Sequence, residues 1–365
     1  ERATGRVENA RGAFERYLST GEDRALGLLE LARTRLASGD PGGESAYYEG
    51  VSLADTDVAS EYLADIAPLV GDSASDALSN LRGAALAQHL REFWTDRDKV
   101  ELRGQGERLR EHYRRLQYAR LHFPLTISRR FYGRLDAYRS GDTGMDDRGV
   151  IYIRHGEPSS RASYAAPGLD PNESWRYARP EGDLIFHFMA REDVQDFKLV
   201  ESLFDVLGFS DAVRLQDQPN GTADNAMAEQ LMLSREQLAP IYRRLQAAGR
   251  GSAGRYQSQE RRAGQESIAL GTTSDSYELR FPNELKAKSE VLAVGRDSAG
   301  HQVQIAYAIA GSSLEPVTVT RGFLYSVRLR FVATDAAGRV VSSLDTTRHF
   351  VAPERVPPKE HLVGR

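Results

Sequence analysis

From about Val7 to Asp96 apolar residues recur three and four positions apart, as in Ala25, Leu28, Leu29, Leu31, Ala32 and Leu36, which gathers them on one helical face. This stretch predicts short antiparallel helices, and the helical pattern continues through residues 88–140 with Phe93 and Trp94 on an apolar face. Around Asp146 the pattern changes. Asp146-Asp147-Arg148-Gly149 has turn chemistry, and Val150-Ile151-Tyr152-Ile153, bounded by Gly156 and Pro158, predicts a short strand. Ser174 to Ala178 and Leu184 to Met189 predict two more strands about the turn Arg179 to Asp183, forming a small sheet on the preceding helices. A second helix is predicted over Ser234 to Ala248. Gly249 to Arg255 and the polar residues up to Gly264 then predict a flexible linker. Beyond Ser267 the period becomes two, with strands predicted over Tyr277–Phe281, Ser289–Val294, Val303–Ile309, Leu324–Thr334 and Val340–Phe350.

At 365 residues the chain exceeds one ordinary core. The pattern predicts a multi-domain α+β protein: N-terminal helical hairpins (1–90), a central mixed α/β module with a small sheet (91–248), a linker (249–266) and a C-terminal antiparallel β-sandwich (267–365). Leu36-Ala-Ser-Gly-Asp40 is echoed by Leu69-Val-Gly-Asp72, and the two units so marked resemble degenerate tetratricopeptide-type helix pairs. The strand spacing of the last part is similar to that of immunoglobulin-like sandwiches, with slightly too few strands, which fits truncation at Arg365.

Composition narrows the function. With 48 Lys+Arg against 52 Asp+Glu, a net charge of −4 and a pI near 6.1, no global field recruits nucleic acid or an anionic membrane. The absence of cysteine excludes thiolate nucleophiles, disulfides and sulfur-ligated metals. The longest apolar runs are strand-sized, far short of the roughly 20 residues that span a bilayer. The start at Glu1, with no Met, accommodates an upstream signal peptide or anchor.

The run from Arg103 to Arg139 carries Arg108, Arg110, Arg114, Arg115 and Arg120 among Tyr113, Tyr118 and Phe123. A basic helix with aromatic residues can follow phosphates. Glu107 and Glu111, however, sit at ion-pairing spacings, which predicts a solvated, salt-bridged face.

Four elements between Phe93 and Leu207 resemble the GWxTD domain family, found in bacterial, often exported, proteins of unknown function. They are Phe93-Trp94-Thr-Asp-Arg-Asp98, the segment His112 to Phe123, Asp147-Arg148-Gly149-Val-Ile-Tyr152-Ile153 with Gly156 and Pro158, and Glu173-Ser-Trp175-Arg-Tyr177. The naming Trp is replaced by Thr143-Gly-Met-Asp146 and residues 124–141 form an insertion, so the resemblance is to a divergent member. The family's usual layout accommodates helical repeats before the domain and an immunoglobulin-like part after it, and implies export to the periplasm or cell envelope. From the residues themselves, Asp147 can cap the turn, Gly149 can permit an unusual backbone angle, and Trp175 with Tyr177 can cover the sheet.

Ile153-Arg154-His155-Gly156-Glu157 resembles the nucleophile segment of histidine phosphatases, in which His takes the phosphoryl group and Arg binds its oxygens. That chemistry needs a second His at a comparable strand end, and His187, His301, His349 and His361 offer none. For metals, His155, Glu157, Glu173, Asp183 and His187 could converge, and Asp142, Asp146 and Asp147 could hold calcium, yet neither set has a known ligand spacing. The expectation is a non-enzymatic interaction or scaffold protein with protein partners and no cofactor. The alternatives are a phosphohydrolase using Arg154, His155 and Glu157, and anion or nucleic-acid binding through the Arg108–Arg115 helix.

Overall fold

Asp23 and Asp55 begin two of the first helices, their carboxylates accepting from Leu26 N at 3.0 Å and from Val58 N at 2.9 Å, which satisfies amides that a helix start leaves without partners. They cap α2 (Arg24–Ala37) and α4 (Thr56–Ile66), which stand with α1 (Val7–Thr20) and α3 (Gly43–Leu53). In this computed structural model α2 packs on α1, α3 and α6 (Glu107–His122), and α3 packs on α5 (Gly83–Val100). The structure describes residues 7–21, 23–70, 77–100, 104–125, 127, 130–141, 143–179, 182–190, 196–208, 226–248, 252–276, 285–298, 300–334 and 340–364.

Among these, the chain is mixed α/β with ten α-helices and three small antiparallel sheets, the helices concentrated towards the N-terminus and strands dominating the C-terminal part. It divides into two units, Glu1–Tyr277 and Glu278–Arg365. In the first, β1 (Ser160–Ser163), β2 (Asn172–Tyr177), β3 (Leu184–Met189) and β4 (Lys198–Val200) form one sheet in sequence order. The predicted strands over Ser174–Ala178 and Leu184–Met189 are present, paired with Trp175 opposite Phe186 and Ser174 opposite His187. Alternation sorts the faces. Phe186, Phe188 and Trp175 join a core that runs back through Trp94 and Tyr47 to Leu29, while Met189 and Val200 join a second cluster with Leu231 and Tyr242. One continuous core therefore joins residues on both sides of the boundary expected at 90/91.

Three expectations are corrected. Val150–Ile153 is helical, within α7 (Asp147–His155). The run is apolar because this helix is buried nearly all round, and a short buried helix has no polar face to set it apart from a strand. The helix expected over Ser234–Ala248 is confined to α9 (Pro240–Gln246), with Pro240 at a helix start where its missing N–H costs nothing, while α8 (Ala226–Ser234) ends where the expected helix was to begin. Most of the expected linker is α10 (Ala253–Thr273), which packs on β3 and α7. Its glycines mark close approach: a Cβ on Gly264 would fall 1.8 Å from Glu201 O, and one on Gly271 would fall 2.2 Å from Phe186 Cζ.

The second unit holds β5 (Ala287–Asp297), β6 (Gly300–Ala310), β7 (Val317–Val319), β8 (Gly322–Thr334), β9 (Val340–Ala352) and β10 (His361–Gly364), arranged as sheets β10-β6-β5 and β7-β8-β9. Tyr307 and Ile309 of β6 cluster with Tyr325 and Val327 of β8. The strand expected over Tyr277–Phe281 and the turn at Asp335–Gly338 lie outside the described residues, as do Gly71-Asp72 of the helical echo.

Candidate functional site

The Arg154-His155-Gly156 segment is the end of α7. Gly156 takes φ +74° and its N–H returns to Tyr152 O at 2.7 Å, closing the helix in a conformation that glycine adopts without strain. His155 is buried, and each ring nitrogen is engaged. Nε2 lies 2.8 Å from Gly271 O in the last turn of α10, and because a carbonyl only accepts, this nitrogen carries the proton. Nδ1 then accepts from Ser276 Oγ at 3.1 Å. Burial, and next the nearby Arg115 and Arg154 against the pull of the Gly271 bond, lower its pKa to about 4.

The arginines beside it bind backbone. Arg115 Nη1 donates to Arg154 O and Ser276 O at 3.0 Å each, and to Ile153 O at 3.3 Å. Arg154 Nη1 donates to Ser274 O at 3.3 Å, and Ser276 N donates back to Arg154 O at 3.0 Å. The residues that resemble a phosphatase nucleophile segment thus clasp the exit of α10. Glu157 is exposed and pairs with Arg161, apart from this clasp.

The remaining motif residues are mostly interior. Asp146, not Asp147, caps α7, accepting from Arg148 N at 2.9 Å. Asp147 is buried and accepts from Arg130 Nη1 and Ser140 Oγ at 2.9 Å and from Leu199 N at 2.8 Å. Burial outweighs these bonds and raises its pKa. Arg148 lies 3.6 Å over the Phe197 ring and pairs with Asp146 at 2.7 Å. Gly149 has ordinary helical geometry, and space explains it: a Cβ there would meet Met145 Cβ at 2.8 Å. Tyr152 stacks on Tyr118, Pro158 is buried, and Tyr177 donates to Gly156 O at 2.9 Å. Trp175 packs against Phe188 inside the core, and Trp94 Nε1 donates to Tyr47 Oη at 3.2 Å.

The basic helix is divided. Arg114 faces outward on Glu111 and Arg110 pairs with Glu44, but Arg108 and Arg115 are buried, so the expected solvated face holds only in part. Arg120 and Arg33 converge on buried Asp65, each at 2.8 Å from Oδ1, and Tyr113 Oη donates to its Oδ2 at 3.0 Å. Burial pushes that carboxyl up, and its partners hold it below the ordinary value.

A second buried constellation escaped the sequence. His187 Nδ1 is 2.8 Å from Ser174 Oγ, and Nε2 is 2.9 Å from Tyr242 Oη and 3.5 Å from Glu260 Oε1. Arg235 Nε donates to the same Ser174 oxygen at 3.0 Å, and Glu260 accepts from Ser202 Oγ at 2.5 Å and Leu203 N at 2.8 Å. Serine, histidine and glutamate stand in the order of a nucleophilic relay. Ser174, however, is fully buried with a guanidinium on its oxygen, which leaves no approach for a substrate. Burial lowers the His187 pKa to about 3 and raises that of Glu260 to about 7. The strand expected over Leu184–Met189 included His187, but Glu260 and Arg235 lie in segments with no strand signal.

Among the described residues no three His, Asp or Glu side chains are grouped to hold a metal, and Asp142 lies outside them. No helix among them is long and apolar enough to cross a membrane. Compared with known protein families, curated proteins and solved structures, the chain matches none.

Proposed function

We propose that this chain is a non-enzymatic protein-interaction protein: a divergent GWxTD-like module with tetratricopeptide-like helices before it and an immunoglobulin-like sandwich after it, working in the bacterial cell envelope. The observation that carries the reading is the internal use of the one segment with catalytic chemistry. Both nitrogens of His155 and the carbonyl-bound arginines beside it are spent on the chain itself. A phosphoryl acceptor needs a free, nucleophilic nitrogen. The resemblance to GWxTD proteins is the support for the envelope location.

The surface that fits a partner is β5. Among the described residues it pairs with β6 on one side and with no strand on the other, is exposed from Ala287 to Arg296, and carries Val291, Leu292 and Val294 into solvent. An open strand edge with unpaired backbone groups takes an added strand, and the occupant we assign is an extended segment of a partner protein with alternating apolar residues. A photo-crosslinker at Val291 of the intact chain in its host tests this. One discrete heterologous adduct is expected, absent in Val294→Lys, and its purified partner should slow amide exchange in β5. A second copy of the chain in the adduct, or labelling that Val294→Lys leaves unchanged, rejects the assignment.

A further inference from the structure

Ser174 from β2, His187 from β3, Arg235 from the turn after α8, Tyr242 from α9 and Glu260 from α10 all point into the second core cluster and are buried there. Ser174 Oγ accepts from Arg235 Nε at 3.0 Å, and among the described residues the acceptor that meets its own proton is His187 Nδ1 at 2.8 Å. Nδ1 therefore accepts, which makes the ring neutral with its proton on Nε2. That proton meets Tyr242 Oη at 2.9 Å, and the phenol reaches on to Glu260 Oε1 at 3.5 Å. Leu203 N also donates to Oε1, which leaves Oε2, 2.5 Å from Ser202 Oγ, as the place for a proton on Glu260.

The charges around this chain favour the neutral forms. Arg235 stands beside the His187 ring and disfavours a second cation there, while Glu173 on β2 acts on Arg235. Asp205 disfavours a charge on Glu260, and Arg261, next on α10, pairs with Asp205 at 2.5 Å and Glu201 at 3.0 Å. His187 Nε2 and Glu260 Oε1 are 3.5 Å apart, long beside the roughly 2.7–2.9 Å of a charge-assisted bond. An ion pair at that distance gains too little to offset the desolvation of two buried charges. In water at mildly acidic pH the same two side chains are an imidazolium and a carboxylate.

We propose that packing α8, α9 and α10 onto the sheet moves one proton from His187 to Glu260, so that the second core closes as a proton-compensated latch. An N–H bond of the imidazolium is lost and an O–H bond on the carboxylate is gained, with no net uptake. Burial lowers the His187 pKa from 6.5 to about 3 and raises that of Glu260 from 4.5 to about 7. The His187 contribution to closure is lost as pH falls and the Glu260 contribution is lost as pH rises. Between pH 4.5 and 6.5 the two slopes oppose each other. The latch is independent of the strand-addition reading, on different residues.

Amide exchange of α8 and α9 in the intact chain, corrected for the intrinsic pH dependence of exchange, tests the latch from pH 4.5 to 6.5. Relative to the wild type, the opening constant of Glu260→Gln should fall about tenfold per pH unit as pH rises, and that of His187→Gln should rise about tenfold per unit, the slope of one proton. A purely structural role shifts both constants without a slope. Differences without slope, or slopes of the same sign, overturn the proposal. Carbon-13 NMR of the wild type at pH 5.5 reads the pair directly, even where a variant fails to fold. A protonated Glu260 carboxyl beside a neutral His187 ring is expected, and a carboxylate or an imidazolium overturns the proposal.

Discussion

His155 illustrates how a residue type with reactive chemistry becomes a structural tie. A helix leaves its last carbonyls without partners, and the imidazole supplies a donor to Gly271 O while accepting from Ser276 Oγ. His155→Ala leaves that buried carbonyl unsatisfied and should cost about 1–3 kcal/mol in urea unfolding, whereas His155→Gln, which retains a donor, should cost less. The pH dependence has a definite sign. The His155 pKa falls from 6.5 unfolded to about 4 folded, so the unfolded chain binds more protons between those values and stability is lost as pH falls through that window. The stability gap between the wild type and His155→Gln should therefore narrow from pH 6.5 to 4. Glu260 runs the other way: its pKa is raised from 4.5 to about 7, so its neutral form is the folded one and stability is lost as pH rises through that range. Glu260→Gln should gain on the wild type over the same range, as read by unfolding midpoints at each pH.

At the scale of elements, α10 shows where sequence pattern and physical cause part. Glycine and polar residues argued for a linker, yet Gly264 and Gly271, seven apart on one helical face, let the helix lie directly on Glu201 O and the Phe186 ring. Gly264→Ala should force α10 away from that backbone and cost about 1–3 kcal/mol or more as overpacking, despite alanine's better helix propensity; a thermal melt reads it. The strands β2 and β3 were legible because short apolar and aromatic runs bounded by turn residues suit a sheet buried on its two faces. Helix α7 was not, because burial on all sides erases periodicity. Likewise Arg108 and Arg114 read alike in a basic run, and only the packing of α6 sends one inward and the other to solvent.

On the scale of the whole molecule, the helical start and strand-rich end follow from the change of period, but the first unit closes later than pattern suggested. Among the described residues its two core clusters reach from Leu29 to Tyr242 and Ile268, within the first unit. A fragment of residues 1–277 should therefore unfold cooperatively, whereas one ending at residue 248 should not, since it loses Glu260 and Ile268 from the interior. The site was legible as a motif and not as a role: Arg154 and His155 were singled out, while their partners Ser274 and Ser276 lie outside the strands that the sequence marked. The central claim, that the phosphatase-like segment is an internal clasp, is tested most directly by the NMR titration of the His155 ring in the presence of an aryl phosphate. The account predicts a neutral ring carrying its proton on Nε2 down to about pH 4 and no phosphorylated histidine; titration near the ordinary histidine value, or a phosphohistidine signal, would contradict it.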